Sequence, residues 1–479
     1  MPTTDMAAIP MIPHRPDVVD LSPTPERVLP LNSRALDRDG RCVVYWMQSS
    51  LRFADNPALE TAAALAHALD LPLVIWFGLS DAVPQVAERS ARFLLDGLAD
   101  LAQQAAEHPF TWHVRWAVTT DEIVRGLAAL HPAAVVTDMS HLRFGRSRRA
   151  AVAHDLQMAC VAVDSDVVVP VWLLDGPQVG ARTLRPRLWR LAERFQDDGQ
   201  TLLPDLRPLP AALRNSINLQ GESERVHIAQ RLTTAAHVPT GGAPPAGEMA
   251  ARSALHTFID TRLNGYAGTR RDVAGNASSQ LSAYLRYGML SPRQIMRAVE
   301  RAGAGETDRV SFLDELVIRR ELSSNYVWHE PHYATFAGLP GWARTTLLEH
   351  ADDPRPGGFS EAQMEAGTTG DPLFDAAMRE LRCSGTIHNF ARMYWGKQIL
   401  AWHPHPQRAR SFAQELNDRY GLDGRSPNGF ANVAWCFGMH DRPWPERAVF
   451  GKVRSMTLAS SGKKINLGGY VERVHGLAE

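Results

Sequence analysis

Cys42-Val43-Val44-Tyr45-Trp46-Met47 is a run of β-branched, aromatic and apolar residues, and the way it alternates with the segments after it decides the fold. Residues 57–69 carry helical apolar spacing, and Leu73-Val74-Ile75-Trp76-Phe77 reads as a second strand. A helix over 85–106 then leads to a strand at Trp112–Val118. A short helix after a Thr120-Asp121 cap precedes the strand Ala133–Asp138, and a basic helix over 146–157 precedes Cys160–Val169. Strands and helices taking turns at this spacing predict an α/β domain with a doubly wound parallel sheet, Rossmann-like in plan. No GxGxxG follows the first strand, so the usual dinucleotide fingerprint is missing.

Outward from this core the character changes. Residues 1–40 begin with a Pro- and Thr-rich stretch and are expected to form a mobile N-terminal tail. The alternating domain covers 41–174. Residues 175–249 hold Pro and Gly clusters ending in Pro239-Thr240-Gly241-Gly242-Ala243-Pro244-Pro245, the pattern of a connector with short helices. From 250 to 479 the periodicity is helical, with helices expected over 251–263, 281–301, 310–327, 371–383, 386–402 and 406–419. The expectation is an α/β domain followed by a larger all-helical one.

Composition narrows the function. The 479 residues are 44% hydrophobic, enough for more than one core. The net charge of -1 supplies no global attraction to nucleic acid, so any such binding must come from local clusters of Lys and Arg. Cys42, Cys160, Cys383 and Cys436 form no CxxC pair, which argues against a zinc site or a disulfide framework and fits a reducing cytoplasm. No metal site is expected. The start lacks a signal pattern, and no apolar run reaches the roughly 18 residues of a membrane span.

Three segments carry candidate chemistry. Asn276-Ala277-Ser278-Ser279-Gln280-Leu281-Ser282 opens a helix, where hydroxyls and free N–H groups either cap the helix or hold phosphate oxygens. Met393-Tyr394-Trp395-Gly396-Lys397-Gln398-Ile399-Leu400-Ala401-Trp402 sets Trp395, Ile399 and Trp402 on one helical face, a pattern also common in plain cores. Asn417-Asp418-Arg419-Tyr420-Gly421-Leu422-Asp423-Gly424-Arg425 is dense in polar and turn residues. Between Arg442 and Lys464 lie the basic residues Arg442, Arg447, Lys452, Arg454, Lys463 and Lys464 against the single acid Glu446.

Taken in order from about residue 40 to 475, these segments resemble the class II cyclobutane pyrimidine dimer photolyases. The resemblance also rests on Val43–Met47 with Asp55-Asn56-Pro57-Ala58-Leu59, and on Glu315-Leu316-Val317-Ile318-Arg319-Arg320-Glu321-Leu322. Its longest part is Pro427-Asn428-Gly429, Ala434-Trp435, His440-Asp441-Arg442-Pro443-Trp444 and Phe450-Gly451-Lys452-Val453-Arg454. It implies an antenna-type α/β domain, a helical FAD-binding domain, and light-dependent repair of UV-damaged DNA, with the dimer flipped out of the duplex. The cofactor implied is FAD, active in its reduced anionic form. A deazaflavin or folate antenna, or none, is compatible with the N-terminal domain. A monomer without an obligate protein partner is expected, and a cryptochrome-like photoreceptor without repair is the alternative.

By the same resemblance Ser278, Ser279, Gln280, Leu281 and Ser282 hold the flavin phosphates, with Tyr266 and Arg270 beside them. Arg392 and Asp423 pair next to the flavin ring, and Asn417 faces its N5. Glu321 bonds the pyrimidine edge, Met393 and Trp435 wall the lesion, and Arg442, Lys452 and Arg454 meet DNA. Trp395 and Trp402 are the ends of an electron relay whose middle position, Phe374, is not readily oxidised. Arg271 and Ala283 also depart from the family pattern, which usually carries Asn and Pro there.

Overall fold

A computed structural model describes residues 16–83, 86–195, 203–209, 216–235, 238–239 and 241–477. Six strands form one sheet: β1 (Val28–Pro30), β2 (Cys42–Met47), β3 (Leu73–Leu79), β4 (Thr111–Trp116), β5 (Pro132–Asp138) and β6 (Ala159–Val163). Their order is β1-β6-β5-β2-β3-β4, parallel except for β1. Every residue of β2 and β5 is buried, as expected for a parallel sheet covered on both faces. Helices Pro57–Ala68, Glu88–Ala105, Thr120–Ala128 and Arg143–Asp155 supply the cover. The strand order reverses between β2 and β5, and their carboxyl ends open a crevice there.

Several expected boundaries shift, each for a local reason. The cap of helix Thr120–Ala128 is Thr119: its hydroxyl accepts from Glu122 N (3.2 Å) while the Glu122 carboxylate accepts from Thr119 N (2.9 Å). The last strand stops at Val163, short of the expected Val169, because Asp164 is buried with its carboxylate accepting from Val171 N and facing His141. The N-terminal stretch is not all tail. Residues 1–15 lie outside the described part, but Val28–Pro30 pairs with β6, and the buried Arg27 guanidinium donates to the carbonyls of Asp164, Val167 and Val168.

Beyond residue 248 every regular element is helical among the described residues. The expected helix 281–301 is two, Ser282–Tyr287 and Pro292–Arg301. Gly288 ends the first with φ 66°, and Ser291 and Pro292 start the second. A Cβ on Gly288 would lie 2.1 Å from the Ser49 carbonyl oxygen, so only glycine lets this turn touch the end of β2. The expected helix 310–327 carries a wider π-helical stretch at Asp314–Arg319 before continuing as Arg320–His329.

Buried polar contacts fasten the helical region to the α/β layer. The Glu248 carboxylate accepts from Phe53 N (2.7 Å) and Ala54 N (3.2 Å), and Arg52 donates to the Gly288 carbonyl (2.9 Å). Arg293 and Asp55 form an ion pair at 2.6 Å with both side chains sealed from solvent. No helix among the described residues is long and apolar enough to cross a membrane.

Candidate flavin and lesion site

A cavity of about 890 Å³ runs from the β2–β5 crevice into the helical region. At the crevice it is bordered by Gln48, Ser49, Ser140 and His141. In the helical region Tyr266, Arg270 and Ser278–Ser282 form one side, and Arg392 and Asp423 another. Its volume lies in the range of large ligand sites.

The Ser278–Ser282 segment is a shaped loop. Asn276 and Gln280 have left-handed φ of 49° and 62°, and the Gln280 amide donates to Asn276 Oδ1 and Ser278 Oγ, both at 2.7 Å. Arg262 holds the Ser278 carbonyl at 3.1 Å. Ser279 and Ser282 border the cavity, and their hydroxyls carry no such bracing among the described residues. Gln280 therefore braces the loop, while the serines present donors to it. Tyr266 packs edge-on against Phe258 and Phe312, and burial pushes its phenol up to about 12, so it stays a neutral donor.

Arg392 is the centre of the opposite wall. It grips the Asp423 carboxylate at 2.7 and 2.9 Å and donates to Asn417 Oδ1 at 2.7 Å. Helix Asn389–Trp402 supplies Arg392, and the turn after helix Pro406–Tyr420 supplies Asp423. Asn417, expected at flavin N5, is 1% exposed and does not border the cavity. It reaches the site through Arg392. Its amide lies against Gly429, where a Cβ would be 3.0 Å from Nδ2, so the glycine makes room for it.

The largest correction concerns Glu321. Its carboxylate accepts from Val168 N (2.6 Å) and Val169 N (3.3 Å), and it is not among the cavity residues. Glu315 is: it borders the cavity in an ion pair with Arg270. The two glutamates begin identical Glu-Leu doublets six residues apart, and the π-helical stretch Asp314–Arg319 lies between them and turns them to different sides. One faces the ligand space and the other the α/β layer. The signal that was available is partnership: an acid opposite a cavity cation, here Arg270, which only the fold brings near.

Met393 and Trp435 both border the cavity. The Arg319 guanidinium sits 5.2 Å from the Trp435 ring, and His440 meets that ring edge-on. Sequence reasoning missed Arg319 because a basic residue in a helix is ordinarily a solvated one. Arg442 and Arg454 both stack on Trp444, at 5.4 and 4.9 Å, and Arg454 reaches the cavity rim. Lys452 is exposed on the same loop, where its carbonyl accepts from Trp444 N and Arg447 pairs with Gly451. Trp395 is buried, and Trp402 packs edge-on against Phe374 (4.8 Å) and Phe359 (4.9 Å). Arg271, standing where the resemblance leads one to expect Asn, borders the cavity, and Ala283 is buried in the first turn of helix Ser282–Tyr287.

An α/β layer joined to a helical ligand cavity in this way has known counterparts. Residues 43–211 match the DNA photolyase family model, and residues 312–428 match the FAD binding domain of DNA photolyase. A deoxyribodipyrimidine photo-lyase of Methanothermobacter thermautotrophicus is 37% identical over 95% of this chain and 99% of its own length. One from Oryza sativa is 36% identical over 92% of this chain and 89% of its own. Among solved structures, a class III photolyase from Agrobacterium tumefaciens superposes with a TM-score of 0.72 at 21% identity, covering 92% of this chain and 88% of its own. A Synechocystis cryptochrome reaches 0.70 at 15% identity, covering 90% and 88%, and these two show the shared fold. The chain belongs to the DNA photolyase family.

Proposed function

We infer that this protein is a light-driven deoxyribodipyrimidine photo-lyase of the class II type, with FAD in the helical cavity and a flipped pyrimidine dimer as substrate. The carrying observation is one cavity holding serine donors, the Arg392–Asp423 pair, and the apolar walls Met393 and Trp435. These residues fit a dinucleotide flavin: hydroxyls for its phosphates at one end, a fixed cation for its ring at the other. When bound, reduced FAD supplies the light-excited electron for splitting the dimer.

The chain's own residues position and shield. Arg392, locked by Asp423 and Asn417, presents a fixed positive charge to the ring edge and favours its anionic form. Asn417 is a positioning residue acting through Arg392. Met393 and Trp435 give the lesion bases apolar surfaces, which exclude water. Glu315, aligned by Arg270, takes the pyrimidine-edge role that Glu321 is too far round the helix to fill. A light-dependent repair assay on dimer-containing oligonucleotide, with the flavin spectrum recorded, tests the whole reading. Flavin without repair would make the protein a sensor, and no flavin would discard the site.

Glu315→Ala should lose roughly tenfold or more in lesion affinity, since a hydrogen bond to a charged group contributes about 1.5–3 kcal/mol. Glu321→Gln should leave repair intact and change pH dependence instead. Burial pushes the Glu321 carboxyl up to about 8, against the pull of the Val168 N–H and Arg320. A raised carboxyl stabilises the fold while protonated, and that contribution is lost as pH rises from about 4.5 to about 8. The Gln variant should therefore gain in Tm on the wild type across that window. Parallel Tm curves, or lost repair in Glu321→Gln, would contradict the assignment.

Arg442→Ala and Arg454→Ala should each lower the salt slope of damaged-duplex binding by about one, the counterion term of a single phosphate contact. Binding measured across a salt series decides this. An unchanged slope would remove both residues from the DNA face.

A further inference from the structure

Lys397 is 2% exposed and borders the cavity, and its Nζ makes no hydrogen bond among the described residues. It lies one helical turn beyond Met393, on the same face of helix Asn389–Trp402. An ammonium in such a place is costly unless something meets it. Cys436, packed beside it across the close Gly396 contact, is no counter-charge, because burial pushes its thiol up to about 11. Asp441 is the acid whose field reaches Lys397, but its Oδ1 accepts from Arg442 N (2.9 Å) and Trp444 Nε1 (3.2 Å). Arg454 adds a second cation at the same rim of the cavity. Burial pushes Lys397 down to about 8, so it still carries its charge at neutral pH.

Two cations converge where the apolar lesion walls end, and Lys397 has neither a hydrogen bond nor a direct ion pair among the described residues. We propose that Lys397 is a phosphate clamp: its Nζ takes the phosphate that links the two joined pyrimidines, with Arg454 on the outer side. The bases then lie against Met393 and Trp435 while their connecting phosphate enters the cavity with them. This rests on the reading of the cavity as a dimer site.

The test pairs one variant with one altered substrate. Lys397→Met keeps the length of the side chain and removes its charge. Binding is measured on a dimer-containing duplex whose linking phosphate is either intact or replaced by an uncharged methylphosphonate. Wild type should bind the uncharged substrate about tenfold more weakly. Lys397→Met should weaken binding of the intact substrate more than that of the uncharged one, so that the gap between the two shrinks to the share Arg454 supplies. Its FAD content should be unchanged and its Tm equal or higher, since an unpaired buried charge has gone. If Lys397→Met loses the same factor on both substrates, or binds both like wild type, the clamp is wrong. A lower Tm would show that Lys397 has a partner within the folded chain, which also overturns it. If wild type fails to prefer damaged over undamaged duplex, the dimer-site reading falls first and takes the clamp with it.

Discussion

Arg392→Leu should purify without FAD. In the wild type this one guanidinium satisfies both Asp423 oxygens and Asn417 Oδ1. The pair is nearly closed to solvent, with side-chain exposures of 6% and 14%. Removing one partner of a buried pair leaves the other charged and unmatched, at a cost of about 3–5 kcal/mol. That loss falls on the wall proposed to face the flavin ring, so binding and folding should weaken together. Arg392→Lys should rescue only in part, because Arg392 uses two nitrogens, Nη2 on the Asp423 carboxylate and Nη1 on Asn417 Oδ1, and the single nitrogen of an ammonium cannot span both. Flavin absorbance per protein after desalting, with a thermal melt of each variant, checks this. A Leu variant that keeps its flavin and its Tm would show the pair to be dispensable, and the assignment of this wall to the ring would fail.

The second large effect concerns electron supply. Phe374 is buried and edge-on to Trp402 at 4.8 Å, at the position where the resemblance places the middle relay tryptophan. Trp395 and Trp402 are seven residues apart on one helix, about 10 Å along its axis. Phenylalanine does not readily give up an electron, so the wild type should photoreduce its oxidised cofactor slowly. Phe374→Trp should speed this by roughly tenfold, equal to about 1.4 kcal/mol in the barrier. Repair by chemically pre-reduced protein should not change. The structure also identifies the rival route. Tyr394 is fully buried and its hydroxyl donates to Asp371 at 2.5 Å, a ready acceptor for the proton a tyrosine sheds on oxidation. Asp371 caps the helix that carries Phe374. Transient absorption after a blue flash separates the two. Equal rates in wild type and Phe374→Trp would mean that the break at Phe374 is bypassed, and Tyr394→Phe would then slow both.

Parts of the site could be read directly because their meaning is local. Ser278–Ser282 is a turn followed by a helix start, and the left-handed Asn276 and Gln280 that shape it lie within the same few residues. Arg392 and Asp423 were paired through resemblance, and the fold joins them across 31 positions. The failures are equally particular. Glu315 and Glu321 head the same doublet, and nothing in a linear reading separates them. Their surroundings diverge because a six-residue step through a π-helical stretch turns one to the cavity and the other to Val168 and Val169. Asn417 was expected at the ring and lies behind Arg392, a difference in depth that spacing along a helix does not encode.

The sequence by itself determined the architecture: continuous apolar runs alternating with helical ones, then helical periodicity alone. Each such pattern is satisfied by neighbours a few residues away, so it is visible in one dimension. Tertiary structure alone decided which polar groups meet. It drew Val28–Pro30 into the sheet by burying Arg27, stopped β6 at Asp164, and gave Glu321 to the α/β layer and Glu315 to the cavity. It also left Lys397 buried without a hydrogen-bond partner among the described residues. A buried charge takes its meaning from what lies within a few ångströms, and those atoms come from segments far apart in the chain.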